Sequence, residues 1–356
     1  MSERNFNQHI SEIFSFAIKN KASDIHVRVS VPPVVRIDGK LRSVPSQDIY
    51  TAEAAAQDVL STLTDQQKDR LDKDREVDYS FYFEETRVRA NLYHEKENLV
   101  GAFRLIPSKI RTIEELGLPE IISDFAKFRQ GFFIVAGPTG HGKSTTLAAM
   151  INDINKSRSE NIITIEDPLE YIFTSEKSII SQREVGSDTN SFSDALRGSL
   201  RQDPDVILIG EMRDLETIGA ALTLAETGHL VLSTLHTNNA AQTADRIIDI
   251  FPSHQQAQIR SQLANVLLGI VSQRLLPKVS GGRVAAAEIL VANNSVRNTI
   301  REAKTHQINN IIQTGASDGM VSLDDSLANL VTAGEVSIDD ALTWAQDPKH
   351  LKLKLY

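Results

Sequence analysis

Eight consecutive residues carry the strongest chemical signal in the chain: Gly137-Pro138-Thr139-Gly140-His141-Gly142-Lys143-Ser144. They match the phosphate-loop pattern G-x-x-x-x-G-K-[ST] in full. The glycines let the backbone curl until its N–H groups point at phosphate oxygens. Lys143 is expected to neutralise the β- and γ-phosphates of ATP, and the Ser144 hydroxyl to ligate Mg²⁺. A helix predicted to start at Thr145 would direct its positive end at the same anion.

Three further segments end apolar runs in polar groups. Asp205-Val-Ile-Leu-Ile-Gly210-Glu211 offers two carboxylates. Six residues at about 3.3 Å each put them roughly 20 Å apart, so only Glu211 reaches the carboxyl edge where a nucleotide would sit. Glu211 is therefore the expected Mg²⁺ ligand or water-activating group, and Asp205 a strand-start residue. Ile163-Thr-Ile-Glu166-Asp167-Pro168 places Glu166 at the same edge, to orient water or reach the metal through water. In Thr227-Gly228-His229 to Thr234-Leu-His236, His229 begins a strand and His236 ends it, roughly 23 Å away. His236 is expected to sense the γ-phosphate, and His229 to serve elsewhere. Among nearby arginines, Arg201 and Arg246 are the candidates to neutralise transition-state charge, from their own or a neighbouring subunit.

These residues need a parallel sheet to gather them. Apolar strand-like runs at 131–136, 161–165, 205–209 and 230–235 alternate with helical patterns. The α/β unit, taken as 118–356, ends in a mostly helical region. There Ser322-Leu-Asp-Asp and Ser337-Ile-Asp-Asp read as helix caps rather than metal sites. Residues 1–107 read as a small α+β domain. Phe6, Ile10, Ile13, Phe14 and Ala17 recur at helical spacing, and Asp38-Gly39 marks a hairpin. Further strand-like runs lie at 87–93 and 99–106, and residues 108–117 are the expected linker.

The 356 residues carry a net charge of −9 and no cysteine, which excludes disulfides and thiolate zinc sites. The charge opposes a nucleic-acid-coating role, and no basic, aromatic-bearing loop is evident. No apolar run approaches the roughly 18–20 residues that span a bilayer, and the N-terminus lacks a signal-peptide pattern. A cytoplasmic setting is expected. The basic tail with Lys349, Lys352 and Lys354 reads as solvated.

In this order and spacing the four elements resemble the secretion-superfamily ATPases, motors of type IV pili and type II secretion. The segments Gln182-Arg-Glu-Val-Gly186, Gly210-Glu-Met-Arg-Asp214 and Ala225-Glu-Thr-Gly-His229 point to the pilus-retraction branch. The resemblance implies a PAS-like domain joined to a RecA-like ATPase domain, with ATP between them. It also implies a homohexameric ring on the cytoplasmic face of the inner membrane. The partners it implies are a pilus platform protein and a paralogous retraction ATPase, with no zinc and no nucleic acid. An extension or secretion ATPase, a RecA-like ATPase acting on nucleic acid, and a scaffold that does not hydrolyse are the alternatives. Two departures stand out: His141 where the family commonly has serine, and Ser295-Val296-Arg297 where retraction ATPases usually read Ala-Ile-Arg.

Overall fold

The computed structural model describes residues 5–37, 39–106 and 109–355. The chain divides into two compact units, Met1–Lys109 and Ile110–Tyr356. Pro107 of the sequence-predicted boundary and Asp38 of the hairpin signal lie outside the described residues.

The first unit holds strands β1 (Asp24–Val27), β2 (Val34–Ile37), β3 (Lys40–Ser43), β4 (Glu76–Phe83), β5 (Thr86–Glu95) and β6 (Asn98–Leu105). They form one antiparallel sheet in the order β3-β2-β1-β6-β5-β4. Gly39, at φ +78°, serves the tight β2–β3 connection, where a side chain would be strained. Helices α1 (Gln8–Lys19), α2 (Ala52–Ser61) and α3 (Asp65–Asp74) complete the unit. The α1 helix starts where the Asn7 side chain accepts from the Ile10 N–H, and it buries Ile10, Ile13, Phe14 and Ala17. Phe14 then meets Phe81, Phe83 and Phe103 of the sheet.

The second unit is built on strands β7 (Gly131–Ala136), β8 (Asn161–Glu166), β9 (Ile179–Glu184), β10 (Val206–Ile209), β11 (Leu230–Leu235), β12 (Leu267–Pro277) and β13 (Arg283–Val291). Their order is β13-β12-β7-β11-β10-β8-β9, parallel except for the β12–β13 pair. Central strands are buried throughout because both faces are covered. Phe133, Val135, Leu208 and Leu232 pack against α4 (Ile121–Ala126) and α5 (Lys143–Ser157) on one face. Ile134, Ile165, Ile207 and Val231 pack on the other face. That face is covered by α6 (Phe192–Ser199), α7 (Leu215–Glu226), α8 (Ala240–Asp249), α9 (Ser253–Val266), α10 (Asn294–Arg301) and α11 (Ile308–Thr314).

Helices α12 (Leu323–Thr332), α13 (Ile338–Trp344) and α14 (Pro348–Leu355) share a smaller core with the far ends of β12 and β13. Ser322 and Ser337 accept from the Asp325 and Asp340 N–H groups, so both motifs cap helices. The solvated-tail reading is corrected. The tail is α14, held by the fully buried Leu351 and by an ion pair from Lys354 to Asp325. Among the described residues no helix is long and apolar enough to cross a membrane.

Candidate active site

Ladder register brings the chemistry together. Ile165, Ile209, Ser233, Ile134 and Ile270 lie in one row across β8, β10, β11, β7 and β12. Just beyond that row, at the carboxyl edge, come Glu166, Glu211, His236, Gly137 and Gln273. Gly210 permits the close approach, because a Cβ there would stand 3.2 Å from the Glu166 Cα. Asp205 and His229 lie at the opposite edge, as the distance argument predicts. The Asp205 carboxylate accepts from the Asn161 N–H, and His229 Nδ1 sits 2.8 Å from the Leu224 carbonyl.

The phosphate loop leaves β7 through Gly137 at φ +145°, and its Cβ position is filled by the Gln273 carbonyl 2.5 Å away. No other residue fits there. Pro138, Thr139, Gly140 and His141 make the bend, and Gly142 at φ +84° starts α5. Lys143 is 8% exposed, and its ammonium donates to the Gly137 and Pro138 carbonyls at 2.9 and 3.0 Å. Burial lowers its pKa from the ordinary lysine value. Thr145 Oγ1 meets the Tyr171 hydroxyl at 2.8 Å, while the Ser144 hydroxyl engages no protein group among the described residues.

His236 links this loop to Glu211. Its Nδ1 lies 3.5 Å from Lys143 Nζ and 3.4 Å from Thr139 Oγ1, and its Nε2 lies 3.4 Å from Glu211 Oε2. The other Glu211 oxygen pairs with Arg213 Nε at 2.6 Å. Burial, then the Lys143 charge, lowers the His236 pKa. The ring is therefore neutral at physiological pH, with Nδ1 free to accept from the ammonium and Nε2–H directed at the carboxylate.

Glu166 has a different environment from Glu211. It is 7% exposed, burial drives its pKa up to about 7, and its Oε1 has no hydrogen-bond partner. A buried oxygen without a partner, an unengaged Ser144 hydroxyl and a buried lysine suit a triphosphate with its hydrated Mg²⁺. If Glu166 activates water as the carboxylate, turnover rises with pH across about 7, because only the ionised form can take a proton from water. The expected kcat profile has that acidic limb, and Glu166→Gln removes it while cutting kcat by about 10²-fold. A limb centred near the ordinary value of 4.5, or an unchanged profile in the variant, would contradict this role.

Arg201 is not brought to the loop of its own chain. Arg201 is exposed beside Gln202 and Asp203, whose carbonyls accept from the Asn161 side chain at the starting edge of the sheet. Arg246 is exposed on α8, six residues and about 9 Å along the axis from Ala240.

Sequence reasoning preferred other arginines to Arg213 and missed the residues behind the loop. Gln273 and Arg274 are buried on β12, and Glu288 on β13. Their signal is polar residues inside apolar runs, Val271-Ser-Gln-Arg-Leu275 and Ala287-Glu-Ile289. The Ser295-Val296-Arg297 departure also becomes intelligible. Ser295 is exposed and Val296 fully buried, so both replacements keep the environment. Arg297 donates to the carbonyls of Ala292, Ala264, Asn265 and Leu267, closing the end of α9. Arg297→Ala should destabilise the fold by about 2–3 kcal/mol, read as a lower midpoint in denaturant at unchanged slope. A midpoint within error of wild type would refute that load on Arg297.

The family model described as "Type II/IV secretion system protein" matches residues 2–281. The type IV pilus retraction ATPase PilT of Pseudomonas aeruginosa is 44% identical, covering 96% of this chain and 99% of that protein. The type IV pilus ATPase PilU of the same organism is 38% identical, covering 97% and 90%. A crystal structure of the pilus retraction motor PilT with bound ADP superposes with a TM-score of 0.90 at 45% identity, covering 97% of this chain and 99% of that one. The chain therefore belongs to the type II/IV secretion system protein family, among its pilus-retraction ATPases.

Proposed function

We propose that this ATPase powers the retraction of type IV pili, as a homohexamer docked on an inner-membrane platform protein at the cytoplasmic face. The observation that carries the catalytic part is the contact chain Lys143–His236–Glu211 at the strand edge. The loop from Gly137 to Thr145 holds ATP, with Lys143 on the phosphates. Mg²⁺ held by Ser144 and Glu211 would supply neutralisation of phosphate charge. Glu211 and Glu166 orient the attacking water, and His236 reports whether Lys143 is engaged by phosphate. Arg246 and Arg201, both exposed, suit a neighbouring subunit's nucleotide.

The near-full-length relatedness to a retraction ATPase supports the direction of work. A paralogous accessory ATPase is the expected companion. Deletion of the gene, followed by complementation and counting of surface pili, tests the assignment. Excess pili that disappear on complementation are expected, and a bald surface would overturn retraction in favour of extension.

A further inference from the structure

The nucleotide loop is held from behind by polar groups of β12. Strand β7 ends at Ala136 opposite Ser272, but β12 runs on to Pro277. His141 occupies the space left: its Nδ1 accepts from the Leu275 N–H at 3.0 Å. The Gln273 amide donates to the His141 carbonyl at 2.9 Å and accepts from Thr146 Oγ1 at 2.7 Å. Arg274 donates to the Gln273 carbonyl at 3.0 Å and to the Asn238 carbonyl, just after His236, at 2.8 Å. The charged groups acting on His141 are all cations, Arg274, Lys143 and Arg283. Together with burial they keep it neutral and its Nδ1 an acceptor.

The C-terminal helices close this assembly. The Trp344 ring meets the His141 ring edge-on, with centroids 5.0 Å apart, and lies 5.8 Å from the Arg274 guanidinium. The turn after Trp344 is fixed twice. Asp324 accepts from the Gln346 and Asp347 N–H groups, and the Gln346 side chain donates to buried Glu288 at 2.6 Å. Glu288 in turn accepts from the Ala240 N–H at the start of α8.

We propose that Trp344 is a positioning residue for nucleotide binding: through His141 and Arg274 it makes the C-terminal helices hold the phosphate loop in its receptive shape. This rests on the reading that the loop binds ATP. A loop ordered in advance loses less freedom on binding, so releasing it weakens affinity while the hydrolytic groups at the ends of β8, β10 and β11 keep their places.

The test uses the full chain, with the Kd for ADP and for a non-hydrolysable ATP analogue measured by calorimetry beside kcat. Trp344 is half-buried and packs against the small C-terminal core, so the melting temperature of each variant is read beside its Kd. Trp344→Ala should raise both Kd values about tenfold with kcat within about twofold, and Trp344→Phe should recover most of the loss. In a His141→Ala background, Trp344→Ala should add much less than tenfold, because its main route is gone. A merely structural role would lower the melting temperature and kcat at unchanged Kd. That pattern, a wild-type Kd, or full additivity with His141→Ala would overturn the proposal. Should Trp344→Ala fail to fold, Trp344→Phe and Trp344→Leu carry the same comparison. Failure of wild type to bind either nucleotide would instead overturn the ATP reading itself.

Discussion

Lys143→Ala is expected to weaken ATP binding by about 10²–10⁴-fold and to remove measurable turnover. The ammonium donates to two carbonyls of its own loop and stands beside His236. An arriving triphosphate replaces these neutral acceptors with anionic oxygens, and each charge-assisted hydrogen bond contributes about 1.5–3 kcal/mol. Two such bonds account for the expected loss. Burial makes an uncompensated ammonium unfavourable there, which sharpens the preference for a bound anion. Calorimetric titration with a non-hydrolysable ATP analogue checks this, and retained tight binding by a folded variant would contradict the phosphate-loop role.

Glu211→Gln should separate binding from hydrolysis. The carboxylate stands between Arg213 and His236, at the strand end nearest Lys143. An amide of the same shape fills the space but cannot accept a proton from water or bring negative charge to Mg²⁺. Turnover should fall by about 10²–10⁴-fold, while the Kd for the ATP analogue stays within about threefold of wild type. Single-turnover measurements on the folded variant provide the check. Undiminished hydrolysis would remove Glu211 from the mechanism and leave Glu166 as the carboxylate to test.

Much of this site was legible because parallel sheets obey a simple geometry. Strand rise alone separated Glu211 from Asp205 and His236 from His229, and the ladder register places each member of these pairs at the edge expected of it. The phosphate loop was legible because three glycines and a lysine at fixed spacing permit little else. Strand β4 was missed although Val77, Tyr79, Phe81 and Phe83 alternate cleanly. β9 is short and partly exposed, and its helix-free approach gives no period to read.

The Gln273–Arg274–Glu288 group was invisible for another reason. Buried polar residues interrupt the apolar pattern that marks a strand, and their partners come from distant parts of the chain. No periodicity links Trp344 to His141. Only the packing of α13 behind the loop shows why a ring at position 141 has a neighbour. The placement of Arg201 was not legible either, because the path from α6 into β10 carries it to the starting edge, which composition does not reveal.

The most direct measurement is fluorescence imaging of single labelled pili in a deletion strain carrying either the wild-type gene or Glu211→Gln. Motor-driven retraction predicts that pili extend in both strains but shorten only with the wild type. Retraction at wild-type frequency in the Glu211→Gln strain, or loss of extension in the deletion strain, would contradict it.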